Sequence, residues 1–229
     1  MTNHFDAVLF DFGDTLFFRA GGPPRLVELA RAAGRDLSDD EAQEMWAQVQ
    51  RNARTPESLA TGRDLSRDAH DREWLRLYAA FDELGAGIGA AMYEHEMGPG
   101  GWLPYTDTRP TLEALRAAGV RIGVVSNAGW DVRIQFAAAG IHELVEAYSV
   151  SYEVGVIKPD PELFLRACRD LDVEPARALM VGDTPRPDGG AVAAGIATYL
   201  LPLAAHGAPR GLGAVVRLVV ASAGTVAAP

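Results

Sequence analysis

Short apolar runs, each followed by a polar or charged side chain, constrain the fold of this chain more than any other feature. They lie at 7–10, 120–125, 179–181 and 198–201, with a weaker run at 148–150. Runs of this length are typical of buried strands, and patterns typical of helices separate them. Strands that alternate with helices form a parallel sheet. The sequence therefore predicts an α/β fold, a parallel sheet with helices on both faces.

Helical spacing is clearest in four segments between and after these runs. The pattern predicts helices over 110–118, 161–171, 190–195 and 212–219. The first has Gly119 as its stop, and glycine is the residue most often found just after a helix. The tail after Val220 is small and apolar, and we expect it to fray.

Residues 19–100 have a different pattern, with helical spacing and no convincing strand. Apolar residues recur at helical intervals in this stretch, at 26–33, 45–49, 74–81 and 90–97. Ser38 and Glu41 have the spacing of a capping box, which marks the start of a helix. We therefore expect a small all-helical domain at 19–100, inserted into an α/β core made of 1–18 and 101–229.

Charge and cysteine content narrow the range of partners. The 21 Lys and Arg against 31 Asp and Glu give a net charge of −10, which disfavours binding to nucleic acid. A single cysteine, Cys168, excludes an internal disulfide and a multi-cysteine zinc site. No apolar run reaches the roughly 18 residues that span a bilayer. Residues 1–10 also lack the basic flank of a secretory signal. We expect a cytoplasmic protein, a monomer or a homodimer, with no membrane or nucleic-acid partner.

Reactive side chains stand where the expected strands end. Asp11, Ser126 and Asp183 follow three of the runs, and Lys158 comes after the weaker one. In an open parallel sheet, ligands bind beyond the carboxyl ends of the strands. Carboxylates brought together there repel one another unless a cation lies between them, and Mg²⁺ prefers oxygen ligands. A lysine beside them suits an anionic substrate.

Four ordered motifs carry a resemblance to a known family. They are Asp11-Phe12-Gly13-Asp14-Thr15-Leu16, Ser126-Asn127, Lys158-Pro159-Asp160-Pro161, and Gly182-Asp183-Thr184 with Asp188. In this order they resemble the motifs of the haloacid dehalogenase (HAD) superfamily. The resemblance covers residues 1–18 and about 102–203, and the helical insert falls where that family carries a helical cap. It implies a Rossmann-like core and a hydrolase.

The resemblance implies a phosphatase site around the first three motifs. It makes Asp11 the nucleophile, which forms an aspartyl-phosphate that water then hydrolyses. Ser126 and Lys158 are then the groups that hold the phosphoryl oxygens, with Thr15 and Asn127 as further contacts to the phosphate. The substrate implied is a small phosphorylated metabolite.

The resemblance also implies Mg²⁺ as a cofactor. Its ligands would be the carboxylates of Asp11 and Asp183 and the carbonyl of Gly13. Asp188 would support the metal directly or through water.

One position departs from the pattern of the family. Its phosphatases usually carry a second aspartate, the general acid, two residues after the nucleophile. That position is Gly13 here, and the aspartate is Asp14, one residue later. Asp14 is therefore the candidate acid, or else a turn residue that bonds backbone amides. In the second case another group or water protonates the leaving oxygen, or the enzyme is slow or specialised for good leaving groups. Two other functions stay open: a 2-haloacid dehalogenase that forms an aspartyl ester, and a catalytically weak relative that acts as a binding protein.

Overall fold

A five-stranded parallel sheet forms the centre of one of two compact units. The computed structural model describes residues 3–202 and 207–220. In these residues the strands are β1 (Ala7–Phe10), β2 (Phe17–Arg19), β3 (Trp102–Pro104), β4 (Arg121–Ser126), β5 (Ala147–Val150), β6 (Ala178–Gly182) and β7 (Ala197–Leu200). The sheet has the order β5-β4-β1-β6-β7. The predicted parallel sheet is confirmed.

The described residues contain eleven α-helices. They are α1 (Gly22–Ala32), α2 (Asp39–Ala53), α3 (Pro56–Leu59), α4 (Arg67–Tyr78), α5 (Ile88–Met97), α6 (Thr108–Ala117), α7 (Arg133–Ala138), α8 (Ser151–Val154), α9 (Pro161–Asp170), α10 (Pro185–Gly189) and α11 (Gly213–Val219). Helices lie on both faces of the sheet, as expected for this α/β fold. None of the helices in 3–202 and 207–220 combines the length and the apolar character needed to cross a bilayer.

The register of the central strand brings the strand ends together. β1 lies between β4 and β6, with Phe10 level with Val124 on one side and Val181 on the other. All four residues of β1 are fully buried, as expected for the middle of a covered parallel sheet. The residues that follow these strands therefore leave the sheet at the same edge.

Helix α9 illustrates how the sheet is covered. Its buried residues Phe164 and Cys168 belong to one apolar cluster with Leu9 of β1 and Met180 of β6. Cys168 therefore has a packing role. The segment expected as a helix over 190–195 is a 3₁₀ helix at Gly190–Ala194 instead. So short a segment, flanked by glycines, favours the tighter i to i+3 hydrogen bonds.

The second unit comprises Arg19–Leu103 and Ala128–Ala138. Its helices α1, α2, α4 and α5 pack around an apolar core of their own, which contains Leu26, Val49, Trp74, Tyr78 and Met92. The predicted capping box is present: the N–H of Ser38 donates to Glu41 Oε2 over 2.9 Å, and the N–H of Glu41 donates to Ser38 Oγ over 3.3 Å.

Two features of the chain path were not expected. Strands β2 and β3 form a separate two-stranded sheet, and three residues each are too few for an alternating pattern to be visible. Ala128–Ala138 belongs to the helical unit, whereas the division at residues 18 and 101 assigns it to the core. That division stays a prediction, and the fraying expected after Val220 concerns residues outside the described part of the chain.

Candidate active site

A buried lysine bridges two carboxylates beyond the carboxyl edge of the sheet. The Nζ atom of Lys158 lies 2.6 Å from Asp11 Oδ1 and 2.7 Å from Asp188 Oδ1. The lysine is 5% exposed and Asp188 is fully buried. In so dry a setting each charge depends on the others for compensation. Residues from three separate motifs thus form one charged cluster.

The backbone around Lys158 is held by the side chain of Asn127. The N–H of Lys158 donates to Asn127 Oδ1 over 2.7 Å, and Asn127 Nδ2 donates to the carbonyl of Lys158 over 3.3 Å. Two residues later, Asp160 caps helix α9 by accepting the N–H of Glu162 over 2.9 Å, and Pro161 opens the helix. The lysine therefore emerges from a segment fixed on both sides.

Asp188 is fixed by the turn that precedes it. Its Oδ2 accepts the N–H groups of Asp183 over 3.0 Å and Thr184 over 2.9 Å. Gly182 makes this possible, since a β-carbon there would overlap the carboxylate of Asp188. With Lys158 on Oδ1, both oxygens of Asp188 already have partners. Its carboxylate therefore links the turn after β6 to the lysine.

Three carboxylates converge closely enough to share a cation. Asp11, Asp183 and Asp188 each offer an oxygen, and these oxygens lie within 4.8 Å of one another. An all-oxygen set of this kind suits a hard divalent ion such as Mg²⁺, which keeps several of its waters. Of the three, the side chain of Asp183 accepts only the hydroxyl of Thr184 among the described residues, on Oδ1 at 3.3 Å. Asp11 and Asp183 are therefore the carboxylates best able to accept such an ion.

The pKa values of the charged residues in this cluster also favour a bound cation. Burial raises the pKa of Asp11 to about 7, although the ammonium of Lys158 opposes the shift. Burial, followed by the carboxylates of Asp14 and Asp188, also raises the pKa of Asp183. Burial alone lowers the pKa of Lys158, but Asp11 and Asp188 outweigh it and raise that pKa above its usual range. Negative charge exceeds positive charge here, and a bound cation would relieve the excess.

The first residues of the loop after β1 form a tight turn. The N–H of Asp11 donates to the carbonyl of Val181 over 2.9 Å, which ties the loop to β6. The N–H groups of Leu16 and Phe17 both donate to the carbonyl of Phe12 over 3.0 Å. Asp14 has a φ of 55°, in the left-handed region that non-glycine residues seldom adopt. The Asp14 side chain is exposed to solvent.

The remaining motif residues differ in their exposure. Ser126 ends β4 and is 3% exposed. Gly13 is half-buried beside Asp14. Thr15 is fully buried, and its hydroxyl has no hydrogen-bond partner among the described residues. The roles of these residues toward phosphate or metal stay predictions.

One residue that contacts the loop was missed by the sequence reasoning. Arg210 donates from Nε to the carbonyl of Asp14 over 2.6 Å, across 196 positions of sequence. Arg210 stands in the stretch Gly207-Ala208-Pro209-Arg210-Gly211, which has no motif. No local signal could have identified it, because its partner is a main-chain oxygen far away in the chain.

Comparison with known proteins gives a family and several relatives. A sequence model described as hydrolase, haloacid dehalogenase-like hydrolase, matches residues 5–195. A glyceraldehyde 3-phosphate phosphatase from Methanopyrus kandleri is 39% identical over 100 residues, which is 42% of this chain and 42% of that protein. The chain thus aligns with less than half the length of this curated relative.

Solved structures match over a longer stretch. A HAD phosphatase from Thermococcus onnurineus is 26% identical, with 93% of this chain and 97% of that chain covered and a TM-score of 0.59. A dehalogenase solved with an intermediate complex has a TM-score of 0.70 at 18% identity, with 96% and 100% covered. At so low an identity the second likeness concerns the fold alone.

Proposed function

Because the chain belongs to the haloacid dehalogenase-like hydrolases, we propose that it hydrolyses small phosphomonoesters with Asp11 as the nucleophile. The observation that carries this proposal is the pairing of a partly buried carboxylate with a buried lysine: Asp11 Oδ1 lies 2.6 Å from Lys158 Nζ, next to Asp183. The ammonium keeps one carboxylate oxygen oriented and favours binding of an anion. The relatives named as phosphatases support the same reaction class.

The first half-reaction is a transfer of the phosphoryl group to Asp11. A carboxylate oxygen of Asp11 forms a bond to phosphorus while the bond from phosphorus to the ester oxygen breaks. The leaving oxygen takes a proton from Asp14, which lies on the exposed side of the same loop. Lys158 and Ser126 hold the phosphoryl oxygens as the charge on them grows.

The second half-reaction frees the enzyme. A water attacks phosphorus, the bond from phosphorus to Asp11 breaks, and inorganic phosphate leaves. Asp14, now a carboxylate, takes the proton from the water and is ready for the next cycle. Asn127 and Asp188 act through Lys158: the first holds its backbone and the second its ammonium.

Mg²⁺ is the cofactor that fits this set of oxygen ligands best. Asp11, Asp183 and the carbonyl of Gly13 would hold it, with Asp188 fixing the turn that carries Asp183. When bound, the ion supplies positive charge for the transferring phosphoryl group. The observation that supports this fit is the convergence of three carboxylate oxygens within 4.8 Å of one another. Burial raises the pKa of Asp11 and of Asp183, so the charged form of each is costly without a cation beside it.

The test is phosphate release from a panel of phosphomonoesters by the wild-type protein and by Asp11→Asn. We expect release with Mg²⁺, none with EDTA, and a loss of roughly a thousandfold or more in Asp11→Asn. Asp170→Asn, which removes the same charge from an exposed site on α9, should retain full activity.

The dehalogenase and the binding protein, the two alternatives, each predict a different result when an assay of halide release is added. Release of halide from 2-chloropropionate, without phosphatase activity, would replace the proposal with a dehalogenase. No turnover in either assay would favour a binding protein. Wild-type phosphatase rates in Asp11→Asn would overturn the role of Asp11 in any mechanism.

A further inference from the structure

Arg210 is a buried arginine that contacts the loop after β1, although it lies far from that loop in the sequence. It is 3% exposed, and its Nε donates to the carbonyl of Asp14 over 2.6 Å. The same guanidinium donates from a terminal nitrogen to the carbonyl of Pro202 and lies 5.8 Å from the ring centroid of Tyr105. It thus has a fixed position and delivers one hydrogen bond to the loop.

The segment that carries Arg210 is itself tied down by one carboxylate. Asp107 accepts the backbone N–H groups of Arg210, Gly211 and Leu212 over 2.7, 2.8 and 2.8 Å. Three charge-assisted hydrogen bonds to one side chain leave little freedom for this turn. Asp107 precedes helix α6, so the anchor belongs to the same unit as the sheet.

The carbonyl that Arg210 contacts belongs to a residue with left-handed backbone angles. Asp14 has a φ of 55°, and its N–H donates to the carbonyl of Phe17 over 2.7 Å. Most non-glycine residues avoid this region, and Asp is one of the few that adopt it as single residues in turns. Without the arginine, the carbonyl of Asp14 loses this contact, and the backbone angles of the residue are less tightly fixed. A change in those angles turns the carboxylate of Asp14 in another direction.

We infer that Arg210 is a positioning residue, which holds Asp14 in its left-handed conformation and so directs its carboxylate toward the leaving group. This inference rests on the proposed phosphatase function. It assigns a role to a residue outside 5–195, the stretch that the family model matches. It also accounts for how the aspartate one position later than usual serves as the acid: the chain supplies a separate contact that fixes its orientation.

The test compares leaving groups of similar shape, namely p-nitrophenyl, phenyl and benzyl phosphate. The value of kcat/KM covers the steps up to transfer of the phosphoryl group to Asp11. A good leaving group such as p-nitrophenolate needs no proton, whereas benzyl alcohol does. In Arg210→Ala and Arg210→Lys we expect kcat/KM for benzyl phosphate to fall at least about tenfold more than that for p-nitrophenyl phosphate. Millimolar guanidinium should restore part of the loss in Arg210→Ala.

Two further variants separate positioning from a purely structural role. Arg121 also donates its guanidinium to backbone carbonyls, those of Leu171 and Asp172, but at the amino end of β4. Arg121→Ala should lower stability and leave the ratio between the two substrates unchanged. Asp107→Asn weakens the anchor of Arg210 and should shift the ratio in the same direction as Arg210→Lys.

The outcomes distinguish this inference from the function on which it rests. An equal loss on all three substrates, or no loss, in Arg210→Lys overturns the positioning role while the phosphatase remains. If Arg210→Ala does not fold, Arg210→Lys and Asp107→Asn decide the question in its place. If the wild-type protein releases no phosphate from any of the three, the proposed function itself fails, and the role of Arg210 fails with it.

Discussion

Gly182 and Asp188 lie so close together that a β-carbon on Gly182 would overlap the carboxylate of Asp188. The carboxylate occupies that space because it accepts the N–H groups of Asp183 and Thr184 while it pairs with Lys158. The absence of a side chain at position 182 is therefore a requirement of the site. A substitution there acts on the charged cluster directly.

Gly182→Ala is expected to push Asp188 away from its three partners. We expect a loss of about 1 to 3 kcal/mol in the free energy of unfolding, as for other overpacked sites. The kcat/KM for phosphate release should fall at least about tenfold, because a misplaced catalytic geometry is costly. Urea unfolding and the phosphatase assay measure the two effects.

Gly189→Ala is the matched control for this prediction. It is the last residue of α10, has a φ of −63°, and no non-neighbouring atom of the described residues lies within 4 Å of an added β-carbon. Alanine should be neutral there or stabilise by a few tenths of a kcal/mol up to about 1. Equal effects of the two substitutions would show that Gly182 has no special relation to Asp188.

The coupling between Lys158 and Asp188 can be measured in a double-mutant cycle. Lys158→Met leaves the buried carboxylate of Asp188 and the partly buried one of Asp11 without their cation. We expect a loss of about 3 to 5 kcal/mol in the free energy of unfolding, measured in EDTA. The loss in the double variant with Asp188→Asn should be smaller than the sum of the single losses, with a coupling energy of about 1 to 3 kcal/mol. Denaturant unfolding of the four proteins gives this value.

The exposed pair Arg166 and Asp170 on α9 is the reference for that cycle. Their charged groups lie 2.8 Å apart, but Arg166 is about half exposed. A helix pair of this kind contributes only about 0.3 to 0.5 kcal/mol. A coupling energy for Lys158 and Asp188 as small as this would contradict the view that the cluster is a dry, interdependent unit.

The central strands β1, β4 and β6 were readable because they are buried, and a buried strand leaves a short apolar run in the sequence. The run Leu179–Val181 corresponds to the centre of β6, and Asp183 follows the strand directly. The capping box at Ser38 and Glu41 was readable for a similar reason, because both partners lie within one turn of helix. Local chemistry of this kind needs no knowledge of the fold.

Other features depend on contacts that no local pattern encodes. β2 and β3 are three residues each and pair across more than eighty positions of chain. The hydrogen bond from Arg210 to Asp14 spans 196 positions. Asp188 can bind a metal or accept hydrogen bonds from backbone amides, and the turn after Gly182 decides between the two. The conformation of that turn cannot be read from the sequence. The first two of these features are contacts between residues far apart in the chain, so they could be seen only in the structure.

The side chain of Asn127 holds the backbone of Lys158, and a third prediction concerns this contact. Asn127→Ala removes both hydrogen bonds to Lys158 and should cost about 1 to 3 kcal/mol of stability. The kcat/KM for phosphate release should fall as well, because the lysine loses its fixed position. Thermal unfolding and the phosphatase assay give the two values.

Ser149→Ala is the control for Asn127. The hydroxyl of Ser149 is buried and donates to the carbonyl of Leu163 over 2.6 Å, away from the lysine. Its loss should also cost stability, by about 1 kcal/mol, with no change in kcat/KM. If Asn127→Ala matched it in both respects, Asn127 would be a structural residue only.

His70 in the helical unit makes stability depend on pH. Its ring is buried, 6.2 Å from the ring of Trp74 and 6.1 Å from that of Tyr93, centroid to centroid. Burial lowers the pKa of His70 to about 4, although the carboxylate of Asp71 opposes the shift. In the unfolded chain the pKa is near its ordinary value of about 6.5.

Between these pH values the unfolded chain binds a proton at His70 that the folded chain does not. The free energy of unfolding should therefore fall as the pH drops from about 6.5 to about 4, by about 2 to 3 kcal/mol from this residue alone. His70→Phe keeps an aromatic ring against Trp74 and Tyr93 but cannot bind a proton. Urea unfolding of both proteins at several pH values should show a difference in stability that grows in favour of the variant toward pH 4. Parallel curves for the two proteins would mean that His70 is protonated equally in the folded and unfolded states.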